Sequence, residues 1–184
     1  MDEKLQIRKV LKGGDTSAFG YFVDTYQDMA ITIAYRVCGN KQDAEDIVQN
    51  AFVKAFHNLE TFRSDSKFST WFYRIVYNTA ITETRGGVGG RNTEFEDYKM
   101  ADTAYYSDMD TMTQIEENER NEMINKTLDM MPKDESVLLT LYYLEDNPVK
   151  DIAVITNLTE ANVKVKLHRA RKRFAEIASQ QMRI

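Results

Sequence analysis

Between Asp43 and Asn78 the apolar residues form two helical stripes separated by a polar and aromatic segment, a pattern that fits an all-α fold. In the first stripe Ala44, Ile47, Val48, Ala51, Phe52, Ala55 and Phe56 recur at steps of three and four, which lays one apolar face along a helix. The opposite face carries Asp43, Asp46, Gln49, Asn50 and Lys54. The run Phe62-Arg63-Ser64-Asp65-Ser66-Lys67-Phe68-Ser69-Thr70-Trp71 then interleaves basic, hydroxyl and aromatic side chains, and it predicts a loop. Side chains of these kinds hydrogen-bond phosphates and stack on unpaired bases. From Thr70 the pattern resumes through Trp71, Phe72, Ile75, Val76 and Ala80 until Gly86-Gly87-Val88-Gly89-Gly90, where four glycines in five residues make a helix costly.

Composition agrees with helices: 2 prolines and 8 glycines stand among many Ala, Glu, Lys, Leu and Met. No apolar run is long enough for a membrane span, and MDEKLQIRKV lacks the apolar core of a secretory signal. The one cysteine, Cys38, excludes an internal disulfide. These features predict a cytoplasmic protein that does not insert into membranes.

The net charge of −5 is unevenly spread. Residues 1–92 carry 12 basic against 11 acidic side chains, residues 93–120 carry 2 against 9, and residues 121–184 carry 10 against 9. Acidity is therefore a property of the middle segment, and local patches decide what the flanking parts bind. This divides the chain into a helical module over 1–90, an acidic linker over 91–112 and a second helical module over 113–184. The linker has weak periodicity, yet Phe95, Tyr98, Met100, Tyr105, Tyr106, Met109 and Met112 exceed what a spacer needs. In the first module Ala18, Phe19, Phe22, Val23 and Tyr26 open a stripe, Gly39-Asn40 stops it, and Asp43 is the expected N-cap of the next helix.

Residues Val149 to Arg173 fit a helix-turn-helix. Ala153 is small where two helices would cross, Asn157 stands where the turn needs left-handed backbone, and Leu158, Val163 and Leu167 close a small core. Thr159 is the expected cap of the second helix, with Glu160 in its first turn. The outer face then carries Asn162, Lys164, Val165, Lys166, His168, Arg169, Arg171, Lys172 and Arg173, and six of the ten residues from 164 to 173 are basic. In a major groove such a helix offers Lys and Arg to guanine edges and phosphates, and Asn to adenine. A solvated basic face on an interaction bundle would account for the charge but not for the turn spacing and capping.

Both blocks together resemble the extracytoplasmic-function (ECF) sigma factors, the compact two-domain branch of the sigma-70 family. Gly14-Asp15 with Ala18-Phe19 and Tyr26 is similar to that family's opening, and Asp43-Ala44-Glu45-Asp46-Ile47-Val48-Gln49 with Phe52 is similar to its most recognisable helix. Phe62, Ser66, Phe68, Thr70-Trp71, Arg74-Ile75, Asn78 and Ala80 resemble the part that opens the −10 element. Met131-Pro132 and Asp151-Ile152-Ala153 through His168-Arg169-Ala170-Arg171 resemble the domain that reads the −35 element. The resemblance implies that Asp43, Glu45, Asp46, Gln49 and Asn50 face core RNA polymerase. It implies that Phe62 to Thr70, Arg74 and Asn78 meet −10 DNA, that the basic helix meets −35 DNA, and that an anti-sigma factor is a partner. No cofactor or metal is implied.

Several positions depart from the family pattern. Thr82 stands where an acidic residue is usual, Arg85 is followed by glycines in place of a dense basic cluster, and Ser136 occupies a position commonly held by arginine. Val165-Lys166 replaces a small-polar and arginine pair, which changes the promoter sequence expected. A helix-turn-helix regulator acting without polymerase would explain 149–173 yet leave the polar face of 43–50 without a purpose. An enzyme has little support: His57 and His168 lie far apart, Cys38 is alone, and Gly86–Gly90 lacks the Lys-Ser/Thr of a phosphate loop.

Overall fold

The computed structural model describes residues 3–13, 15–86 and 111–181, and the regular elements among them are all helical. They are α1 (Glu3–Gly13), α2 (Ser17–Cys38), α3 (Lys41–His57), α4 (Phe68–Gly86), α5 (Thr111–Asp129), α6 (Lys133–Tyr143), α7 (Val149–Thr156) and α8 (Glu160–Gln181). A short 3-10 turn over Leu59–Thr61 follows α3. The expected linker lies outside the described residues as far as Asp110, together with all its aromatics; Thr111 and Met112 already belong to α5.

Local chemistry sets the boundaries. Gly39 ends α2 at φ +80, donating its N–H to Tyr35 O at 2.7 Å, a backbone shape glycine adopts without penalty. The N-cap of α3 is Asn40, whose Oδ1 accepts from the Asp43 N–H at 3.1 Å. That corrects the expectation for Asp43, which instead lies in the first turn, where its charge meets the positive end of the helix dipole. Asn157 adopts the left-handed backbone at φ +56, and Thr159 Oγ1 accepts from the Asn162 N–H at 3.2 Å. Both were expected of a helix-turn-helix.

Helices α1 to α4 form one group around an aromatic core. Phe22 and Phe68 approach to 4.2 Å between ring centroids, Phe52 and Phe72 stack at 4.4 Å, and Tyr26 packs on Phe68 and Phe72. Helix α1, which the sequence reading omitted, packs on α2, and its Glu3 carboxyl accepts from the Tyr26 hydroxyl. Helices α5 to α8 form a second group over Leu128, Val137, Leu141, Ile152, Ile155, Val163 and Leu167, all buried.

The two groups meet along a seam, with α6 against α2 and α7 along α4. Arg36 of α2 is almost fully buried there, ion-paired with Asp129 and donating from Nη2 to Asn125 Oδ1 at 2.6 Å, both on α5. Burial pushes the Asp129 carboxyl up and the Arg36 guanidinium down, each against the pull of the other's charge. Lys133 Nζ donates to Cys38 O at 2.6 Å, and the buried Tyr73 hydrogen-bonds the Glu145 carboxyl, itself raised by burial.

Candidate nucleic-acid interfaces and a partner-docking face

Helix α4 presents three faces. Phe72 and Val76 enter the aromatic core, Tyr73 faces the seam, and Trp71, Arg74 and Asn78 line an open cavity of about 390 Å³. The opposite wall comes from the end of α3 and the 3-10 turn, through Lys54, Asn58 and Thr61. Lys54 Nζ donates to Thr79 Oγ1 at 3.1 Å, tying α3 to α4 across the floor. The sequence placed Lys54 only on a solvated helix face, and it did not single out Asn58, Thr61 or Thr79. They lie 17 to 24 residues from Asn78 or on its inward side, so only the packing of α3 on α4 brings them together.

The loop before α4 runs over Phe62 to Lys67. Arg63, Ser64, Asp65 and Lys67 are exposed, Ser66 is half-buried with its hydroxyl donating to Lys67 O at 3.2 Å, and Ser64 takes a left-handed backbone at φ +60. That conformation is uncommon outside glycine and is held by the surrounding fold. Ser69 is half-buried in the first turn of α4. Phe68 and Thr70 correct the expectation: both are buried, Phe68 inside the aromatic core and Thr70 beneath the helix start, so neither offers a surface to a base. Phe62 is half-buried, edge-on to Phe68 at 5.6 Å and tilted on Trp71 at 5.3 Å, with part of its ring still open.

On α8 the N-terminal half of the outer face is open. Asn162, Lys164, Val165, His168, Arg169 and Lys172 are exposed, while Val163, Leu167 and Ala170 anchor the inner face. The remaining cations are committed within the protein. Lys166 pairs with Asp134 at 2.6 Å, and Arg173 pairs with Glu135 at 2.8 Å. Arg171 Nε donates to Tyr143 Oη at 2.8 Å, with its guanidinium over the rings of Tyr142 and Tyr143. Among the described residues no ion pair engages Lys164, Arg169 or Lys172.

On α3, Asp43, Glu45, Asp46, Gln49 and Asn50 are all exposed, and Asn50 reaches across to Glu83 Oε1 at 3.2 Å. Beside them a shallow groove of about 210 Å³ runs between α2 and α3, lined by Val23, Ile31, Glu45, Val48, Gln49 and Phe52. Exposed Val53 extends the apolar surface next to it. A polar ridge beside a groove of mixed apolar and polar lining is a composition found where another protein docks. Among the described residues no cluster of His, Cys, Asp and Glu could hold a metal ion, and no helix is long and apolar enough to cross a membrane.

Residues 22–87 match the family model of sigma-70 region 2, and residues 121–174 match that of sigma-70 region 4. The chain is 31% identical over 169 residues to the ECF RNA polymerase sigma factor SigW of Bacillus subtilis, covering 89% of this chain and 90% of that protein. It belongs to the ECF sigma factors. The RNA polymerase sigma-H factor of Pseudomonas aeruginosa is 30% identical, with 93% and 91% of the two chains covered. Among solved structures, the sigma factor RpoE of Bartonella quintana, in complex with the anti-sigma factor NepR, superposes at a TM-score of 0.67. That pair shares 21% identity over 88% of this chain and 96% of that one. CnrH in complex with the cytosolic domain of CnrY superposes at 0.63, with 21% identity over 97% of each. These likenesses support the same helical fold. As a sigma factor, the chain acts in transcription initiation with core RNA polymerase and promoter DNA as partners.

Proposed function

We propose that this sigma factor divides promoter recognition between its two helical groups, with α8 reading the −35 duplex and the α3–α4 cavity holding an unpaired −10 base. The observation that carries the reading is the cavity itself. It opens beside an exposed cationic loop and places Asn78, which offers both a donor and an acceptor, on its wall with Trp71 and Arg74 alongside. Extruding a base costs a few kcal/mol of stacking and pairing, and a fitted pocket offsets that cost through binding energy alone. No covalent chemistry is needed, and the chain is read as a non-enzymatic, cytoplasmic protein. Its domains are then 1–90 and 113–184.

Lys164, Arg169 and Lys172 are the free cations of the reading helix, joined by Asn162, Val165 and His168 at base edges. Arg171 and Arg173 support α6 and meet DNA at its margin. The ridge Asp43, Glu45, Asp46, Gln49 and Asn50 with its neighbouring groove docks on core polymerase. An anti-sigma factor is a further partner, supported by the fold shared with the sigma factor RpoE solved in complex with the anti-sigma factor NepR.

The test is a pull-down with core polymerase followed by run-off transcription on promoter libraries. Asp46→Lys combined with Gln49→Ala should remove core binding while the helical spectrum stays that of the parent. Normal core affinity in that variant would reject the docking face.

A further inference from the structure

Cations account for the grip of α8 on DNA, but not for the apolar side chain at the centre of its outer face. Val163, Leu167 and Ala170 are buried and fix the orientation of the helix. At 3.6 residues per turn, Val165 stands directly opposite them, and it is 51% exposed. An exposed valine is ordinary on a protein surface, but the surroundings of this one are not. Asn162 and Arg169 lie along one side of it and His168 along the other, at spacings of three and four residues, and all three are exposed. Ala161, one turn earlier, is exposed as well and adds no charge. Lys166, the next residue in the chain, is drawn away towards α6 by Asp134 at 2.6 Å. The reading face therefore has an apolar centre inside a polar and cationic ring.

Stability gives no reason for that centre. Valine is a poorer helix former than alanine, lysine or arginine, and Val165 takes no part in the core. In a major groove about 12 Å wide, the outward centre line of a helix lies nearest the base edges, while long side chains at its flanks reach the phosphates. The 5-methyl group of thymine is the one apolar feature in the groove's code of donors and acceptors. Any other base edge would lose water to a valine without gaining a bond.

We propose that Val165 reads a thymine in the −35 element by packing on its 5-methyl group, so that one position is chosen by an apolar contact and not by a hydrogen bond. This deepens the assignment of α8 as the −35 reader and rests on it.

The experiment uses the full chain with core polymerase, and duplex promoters selected by that holoenzyme from a library randomised across the −35 element. Each thymine of the selected element, on either strand, is replaced in turn by deoxyuridine, which pairs in the same way and lacks only the methyl group. Affinities are compared by competition at one salt concentration. One replacement should weaken binding by the parent about fourfold, the loss expected for one buried methyl group, and the others should leave it near the parent value. With Val165→Ala the loss at that same position should vanish, while the helical spectrum and melting temperature stay at or above those of the parent. The proposal is overturned if the selected element holds no thymine on either strand, if no replacement weakens the parent, or if Val165→Ala keeps the same loss. Selection unchanged by Lys164→Ala, Arg169→Ala and Val165→Ala alike would reject α8 as the reader. A flat deoxyuridine scan beside shifted selection in the two cation variants would reject the valine contact alone.

Discussion

At the scale of single residues, the side chains that matter are those left with nothing to do inside the protein. Asn78 lines the cavity from an exposed position on α4, whereas Phe68 and Thr70 are spent on the core. Asn78→Ala should leave core affinity and −35 binding near the parent values while slowing strand opening, by about 1–3 kcal/mol if one base contact is lost. Permanganate footprinting on paired and pre-melted templates measures this, and the pre-melted template should recover only part of the rate, since the pocket still lacks its partner. Equal opening by mutant and parent on paired DNA would remove Asn78 from the mechanism. On α8 the distinction between free and committed cations gives opposite expectations. Ala at Lys164 or Arg169 should relax preference at one −35 position at a cost of about 1–3 kcal/mol. Asp134→Asn releases Lys166 from its surface pair, so affinity should rise for all sequences and the salt slope should steepen by about one. A binding isotherm series in salt separates the two. The sequence showed which residues are cationic or aromatic. It could not show which ones face inward, because Phe68 and Thr70 occupy a helix start whose direction is fixed by the packing of α4 on α2.

At the scale of elements, periodicity and capping were legible because both are local. The helix-turn-helix is the clearest case: Asn157 at positive φ and Thr159 as cap were read from type and spacing alone. Asn157→Gly should be tolerated within a few tenths of a kcal/mol, whereas Asn157→Val should destabilise the α7–α8 pair by about 1–2 kcal/mol, since a β-branched residue resists left-handed backbone. Thermal melts of the two variants against the parent check this; equal melting would mean that the turn is not strained as described. One boundary was misread for an equally local reason. Asn40 and Asp43 are both good caps, and the side chain closer to the glycine stop won. Helix α1 went unread because Leu5, Ile7, Val10 and Leu11 are interrupted by Lys, Gln and Arg, and it gains its stability from α2.

At the scale of the whole molecule, the seam was the least legible feature, because it depends on residues about 90 apart in the chain. One trace of it stood in the sequence: Arg36 interrupts an otherwise apolar stripe. The seam also sets the chemistry of Cys38, whose backbone carbonyl is taken by Lys133 and whose half-buried thiol is pushed up by burial. A raised thiol holds less thiolate at any given pH, so at pH 8 Cys38 should react more slowly than the thiol of the unfolded chain. Lys133 pulls the other way through its positive charge, so Lys133→Ala should slow that reaction further, and maleimide labelling followed by mass spectrometry gives both rates. An unchanged rate in Lys133→Ala would show that the Lys133 charge does not act on the thiol. Helix α4 carries a last consequence. Its core, cavity and seam faces leave few positions free of duty, whereas one side of α8 answers only to the DNA it meets. The two helices should therefore drift at different speeds under mutation. In a saturation library selected for any one promoter, α4 should accept few replacements between Phe68 and Ala80. The outer side of α8 should accept many once the promoter is allowed to vary with it, so that new regulons arise by rewriting one helix while the other stands still.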